Sequence, residues 1–220
     1  MALLELIYPT LQDGIEIIPE PNTQRDFSSS FISLGINPEY PDFFLLAQIN
    51  LSQIPEGCFQ ERSGILQFYI LRENLYHPSL KDTCYVVYTQ NFAPSFQFFE
   101  GPTPFECPFF ARPMGVRFQK KKMAVPTCGE GFKDTYDEIF SNPEEARNFE
   151  EAYFKQYAPE SSHQFGGVPA VFKRPSSNMR ALLQIALGKN LYFGGDCHVI
   201  FVSPPQLTLF DAIECQICWR

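Results

Sequence analysis

The feature that most constrains this chain is that it nearly repeats itself. Leu45-Leu46-Ala47-Gln48-Ile49-Asn50-Leu51 returns late in the sequence as Leu182-Leu183-Gln184-Ile185-Ala186-Leu187. Each run is followed, across an irregular connection, by a glycine (Gly64, Gly195) and a second apolar run, 65–70 and 199–202. Two copies fall short of the three or more that a solenoid needs, so a duplicated sheet unit packed on itself is expected. A glutamine inside an apolar strand costs about 1–3 kcal/mol unless its amide is satisfied. Gln48 and Gln184 are therefore expected to tie down the backbone of a neighbouring loop rather than to catalyse, since a carboxamide is neither acid nor base at neutral pH.

With 45% hydrophobic and 19% charged residues in 220, the chain has the apolar surface for a packed core and the length for one compact unit. The 23 Phe and 10 Tyr, punctuated by 19 Pro and 13 Gly, favour short strands. Strands are predicted over 43–50, 64–71, 84–89, 116–125, 181–187, 198–202 and 212–219. Between Phe92 and Phe118 the chain holds five prolines and eight phenylalanines, a density that a central strand cannot accommodate because each proline removes a ladder donor. Edge strands and extended segments packed by their rings are expected there. One helix is well signalled: Asn142 or Ser141 as cap, Pro143 in the first turn, Glu144 and Glu145 at the positive end of the dipole, then Ala146, Phe149, Tyr153 and Tyr157 at helical spacing before Pro159. A shorter helical turn is predicted over 134–140. The expected fold is thus α+β: residues 1–42 as a segment packed on a domain spanning 43–220, in which two mainly antiparallel β-sheet halves, about 43–125 and 160–220, are joined by a few connecting helices.

The formal charge of −8 argues against a nucleic-acid partner, whose affinity would come from Lys and Arg neutralising phosphates. The short cluster Lys120, Lys121 and Lys122 reads as the solvated face of an edge strand. No apolar stretch reaches the roughly 18–20 residues that cross a bilayer, and the opening Met1-Ala2-Leu3-Leu4-Glu5 lacks the basic start of a secretion or transit signal. Neither membrane binding nor export is expected. Seven cysteines, an odd number spread along the chain, suit reduced thiols and a cytoplasmic protein.

Several of these pieces together carry a resemblance. Phe44-Leu45-Leu46-Ala47-Gln48-Ile49-Asn50-Leu51, Gly64-Ile65-Leu66-Gln67-Phe68-Tyr69, His163-Gln164-Phe165-Gly166-Gly167-Val168-Pro169, Leu182-Leu183-Gln184-Ile185 and Gly195-Asp196 resemble, in order and approximate spacing, the YwqG-like family, a bacterial domain of unknown function. The resemblance implies an α+β fold with a duplicated, mainly antiparallel sheet arrangement, usually in cytoplasmic proteins, and no established reaction.

Candidate chemistry is sparse. In 162–169, paired glycines allow positive φ and close backbone approach, so exposed amides would cradle an anion beside His163; the alternative is a tight turn with His163 bonded to a carbonyl. Asp196, Cys197 and His198 are consecutive, and neighbouring strand residues face opposite ways, so Cys197 and His198 cannot readily share a proton. Cys215-Gln216-Ile217-Cys218 is a lone CxxC, without the further ligands of a zinc site and, in a strand, beyond disulfide reach. Phosphate-loop, nucleophile-elbow and zincin motifs are absent. The expectation is a non-catalytic binding or protein-interaction module without cofactor or metal, acting on an unknown small molecule or protein. Its site would be lined by His163, Gly166, Gly167, Gln48, Gln184 and Asp196 in a cleft between the halves. The rival expectation is a hydrolase or thiol enzyme using Cys197 or His163. A basic protein partner would suit the acidic surface.

Overall fold

In a computed structural model of the chain, the structure describes residues 12–20, 28–36, 41–58, 63–71, 84–90, 114–123, 142–157, 163–167, 180–187, 197–203 and 214–219. Among them, ten strands run in chain order as β1 (Gln12–Glu20), β2 (Phe31–Ile36), β3 (Phe43–Asn50), β4 (Ile65–Leu71), β5 (Cys84–Thr89), β6 (Met114–Met123), β7 (His163–Phe165), β8 (Arg180–Leu187), β9 (Cys197–Ser203) and β10 (Glu214–Trp219). The helix α1 (Pro143–Tyr157) lies between β6 and β7. These strands belong to one sheet, in the order β10-β9-β8-β7-β1-β6-β2-β3-β4-β5, and every pairing is antiparallel. The two ends of that order, β5 and β10, come within 8 Å of each other, so the sheet curls.

This corrects the α+β expectation: among the described residues the protein is mostly β, with one α-helix. The helix forms where predicted, with Asn142 Oδ1 accepting the Glu144 amide at 2.9 Å and the Asn142 carbonyl accepting from Ala146 at 3.1 Å. Its first turns are largely exposed, with only Ala146 and Phe149 half-buried. The helical turn predicted over 134–140 and most of the Phe- and Pro-rich stretch lie outside the described residues.

The sheet buries one face against itself. Ile15, Ile17, Ile32, Phe44, Leu46, Ala47, Ile49, Leu66, Phe68, Ile70, Val86, Val116, Phe165, Leu183 and Ile185 form one apolar cluster reaching from β5 across to β8. Because side chains alternate along each strand, these residues share the inner face of the curl. A smaller cluster of Phe31, Leu45 and Tyr69, flanked by Phe43, Tyr85 and Val87, occupies the other face of β2–β5. There Tyr85 stacks on Tyr69 with ring centroids 4.7 Å apart and receives the edge of Phe43 at 4.7 Å, the offset and T-shaped geometries that aromatic quadrupoles favour.

Strands β1 and β2 lie within residues 1–42 and are members of this same sheet. At its centre β1 pairs with β6 over nine positions, Gln12↔Met123 to Glu20↔Gly115. The lysine cluster therefore lies on a strand at the middle of the sheet order, in the part of it that extends past the β2 pairing at Met114 and Gly115. Its charges are met by β1: Lys121 Nζ stands 3.1 Å from Glu16, Lys122 Nζ stands 2.9 Å from Asp13, and Arg117 lies 3.7 Å from Glu20.

Candidate functional site

Two polar groupings are built into the sheet. The first surrounds Gln48, which is fully buried on β3. Its Nε2 donates to the Ser29 carbonyl at 2.9 Å, so Gln48 does hold down a loop backbone. Its Oε1 accepts from Gln67 Nε2 at 2.9 Å, and Gln67 Oε1 accepts the Tyr69 hydroxyl at 3.1 Å. The order follows from register, since Gln48 stands directly opposite Gln67 and Tyr69 lies two residues further on the same face. The segment before β2 is fastened at further points: Ser30 Oγ accepts the Asn50 amide at 2.8 Å, Asn50 Nδ2 donates to the Ser28 carbonyl at 2.6 Å, and the Ser30 amide donates to Gln53 Oε1 at 2.9 Å. Every donor in this chain of bonds finds an acceptor within the protein, which is what burial demands.

The second grouping lies on β7 and β8. Gln164 of β7 is opposite Gln184 of β8 and, on its other side, opposite Glu16 of β1, so the three occupy one row on one sheet face. Gln164 and Gln184 are buried. Glu16, 22% exposed, holds Lys121. Half-buried His163 is the next residue along β7, opposite Ile17. Strand β7 ends at Gly166 and Gly167, both with positive φ (67° and 77°), a conformation that side chains with a Cβ resist. The Gly166 amide donates to the Leu182 carbonyl of β8 at 2.9 Å, so that donor is taken up by the neighbouring strand. Gly167 packs close to β1: a Cβ there would stand 3.0 Å from the Gly14 Cα and 2.7 Å from Met123 Sδ.

The structure thus places His163, Gly166, Gly167 and Gln184 on the neighbouring strands β7 and β8 and the turn after β7, with His163 and Gln184 on opposite faces of the sheet, and leaves Gln48 elsewhere in it. Between β3 and β8 stand β2, β6, β1 and β7, and five inter-strand steps amount to about 24 Å along the sheet. Asp196 lies outside the described residues. Gln67, Gln164, Glu16 and Ser30 complete the two groupings without having been singled out from the sequence. The signal that could have found Gln67 and Gln164 is the one that found Gln48: an amide inside an apolar run.

The cysteine motifs lie on the far strands. Cys197 and His198 are consecutive residues of β9, opposite Leu187 and Ala186 of β8 and Trp219 and Cys218 of β10. Cys215 and Cys218 share β10, and three strand steps place their Cα atoms about 10 Å apart, beyond disulfide geometry. Cys58 and Cys84 are free, half-buried thiols. Among the described residues, no helix is long and apolar enough to cross a membrane.

Residues 8–207 match the model of a protein family described as a domain of unknown function, DUF1963. The chain belongs to that family. No curated protein matches it. In this DUF1963 domain both polar groupings fall inside the matched span, as do nine of the ten strands.

Proposed function

We propose that this DUF1963 protein, as a YwqG-like domain, is a cytosolic, non-catalytic binding or interaction module. Its recognition surface is formed where β7 stops, with His163 on one sheet face beside the Gly166–Gly167 turn, and with Gln184 behind it on the other face supporting the strand pair. The observation that carries this reading is the early end of β7: three residues after it begins, two glycines in positive φ take the backbone out of the sheet beside a half-buried imidazole. The inner face of the curl is filled by apolar side chains, which leaves the strand ends and connections as the places for a ligand. The acidic balance of the chain suits a basic protein or peptide ahead of an acidic one.

The enzyme reading gains no comparable support, because Cys197 and His198 alternate along one strand. A thermal-shift screen over metabolites, sugars and peptides tests the proposal. At least one ligand raises the melting temperature in a concentration-dependent way, His163→Gln abolishes that rise, and Cys197 labels no faster than the other six cysteines at neutral pH. Silence across the library, with nothing retained on the immobilised chain, overturns the binding reading; selective labelling of Cys197 turns it toward the thiol enzyme.

A further inference from the structure

We infer that the chain consists of two copies of one five-strand unit, β1–β5 and β6–β10, that have exchanged their first strands. The sheet order carries the inference. Read outward from its centre, one arm runs β6-β2-β3-β4-β5 and the other β1-β7-β8-β9-β10. Strands two to five of each unit keep company, whereas the first strand of each sits in the arm of the other. Exchange of an identical element is the usual route by which two copies become interlocked.

The registers agree residue by residue. On β3 and β4 the pairs are Leu45↔Tyr69, Ala47↔Phe68, Gln48↔Gln67 and Ile49↔Leu66, with an irregularity at Leu46. On β8 and β9 they are Ala181↔Val202, Leu183↔Phe201, Gln184↔Ile200 and Ile185↔Val199, with the irregularity at Leu182. The bulge falls two residues before the glutamine in both. Phe31 pairs with Gln48 and Ile32 with Ala47, as Gln164 pairs with Gln184 and Phe165 with Leu183. Ile32 then meets Met114 of β6, as Phe165 meets Ile15 of β1. A rotation that carries Ile15 onto Met114 carries Ile18 onto Arg117, and those two residues are partners in the β1·β6 ladder. A local two-fold axis through that pair therefore relates the two arms. Bulges are positional features that do not recur in matching register by accident of composition.

Cross-linking in the full-length chain distinguishes exchanged from unexchanged copies. Directly opposed antiparallel residues have Cα atoms about 4.5–5.5 Å apart, within disulfide reach. With exchange, Glu16→Cys/Gln164→Cys forms an intramolecular disulfide under a mild thiol oxidant. Without it, β1 would occupy the place of β6 beside β2, and Glu16→Cys/Phe31→Cys would cross-link instead. The expected result is the first bond and not the second, located by peptide mass mapping, with the chain remaining a monomer on a denaturing, non-reducing gel. A disulfide between positions 16 and 31, or one between positions 16 and 164 that joins two chains, overturns the inference. Should either variant fail to fold, cross-strand NOEs in the unaltered protein decide: contacts of Glu16 with Gln164 support exchange, and contacts of Glu16 with Phe31 refute it.

Discussion

Gln48 and Gln184 stand at matching points of the sheet, each fully buried and each two residues past an irregularity, yet the strands beside them end differently. Next to Gln48, β2 extends over six residues and its entry is knotted by Ser30, Asn50 and Gln53. Next to Gln184, β7 extends over three residues and turns away at two glycines. The same register places His163 where the first arm has Ser30, and Ala186 where it has Asn50. One backbone plan thus supports a polar knot on one side and a short strand with an imidazole on the other. What separates the two regions is a handful of side chains and a pair of glycines, not a different topology. The knotted region holds its loop through side chains that the region with the short strand does not have at the matching positions.

The sharpest way to break that contrast is at the buried amides. Gln48→Leu strands the Gln67 amide and the Ser29 carbonyl, at about 1–3 kcal/mol for each group left unsatisfied. In a double-mutant cycle measured by chemical denaturation, Gln48 and Gln67 return a coupling of about 0.5–3 kcal/mol. The matching pair in the other arm, Gln184 and Ile200, has no amide-to-amide bond to lose, and the cycle Gln184→Leu/Ile200→Leu returns less. Equal couplings in the two arms would mean that the chain from Tyr69 to Ser29 contributes nothing particular to the first.

The glycine turn gives the next largest effect, and it separates conformation from packing. Gly166→Ala meets open space and costs only the strain of its positive φ, about 1–2 kcal/mol. Gly167→Ala carries the same strain and also pushes against Met123 and the Gly14 backbone, so its loss of stability exceeds that of Gly166→Ala. The order is read from the two melting midpoints in denaturant. If Gly166→Ala proves the costlier of the two, the turn is not held against β1 and the account of why β7 stops is wrong.

How much of this was legible follows from the same contrast. Strands β3, β4 and β8 announce themselves because a strand buried on both faces reads as an unbroken apolar run. Strand β1 does not: Ile15 and Ile17 alternate with Glu16 and Gly14, and Pro19 argues against a strand interior. The proline is tolerated because β7 flanks β1 only at Ile15, Glu16 and Ile17, so past Ile17 a missing donor deprives no partner there. Strand β7 is too short to have a period at all. The repeat was visible in Gln-Ile and its apolar neighbours, but the partner of each first strand was not, since pairing between residues 82 to 150 positions apart leaves no local mark. The α+β expectation failed for a related reason: one well-signalled helix says nothing about whether it covers a sheet. Of the expected cleft, His163, Gly166, Gly167 and Gln184 lie on β7, β8 and the turn after β7, whereas Gln48 was joined to them by likeness, which register shows to be correspondence and not proximity.

The smallest effect lies at the seam. Asp13 is exposed, and the hydrogen bond from Lys122, aided by the charges of Lys122 and Lys120, holds its carboxyl below the ordinary carboxylate range against an opposing desolvation. A carboxyl whose folded pKa is depressed contributes stability that is present above its unfolded pKa and is lost as the pH falls through the folded value. The contribution is small because solvent screens an exposed pair. Lys122→Ala should therefore return the Asp13 midpoint, followed through its side-chain carbonyl carbon by NMR, toward that of a free aspartate, and should trim the acid limb of the stability curve without altering the fold. An Asp13 midpoint that stays where it was in the Lys122→Ala protein would show that the β1·β6 seam is joined by its backbone ladder alone, and that its facing charges only decorate it.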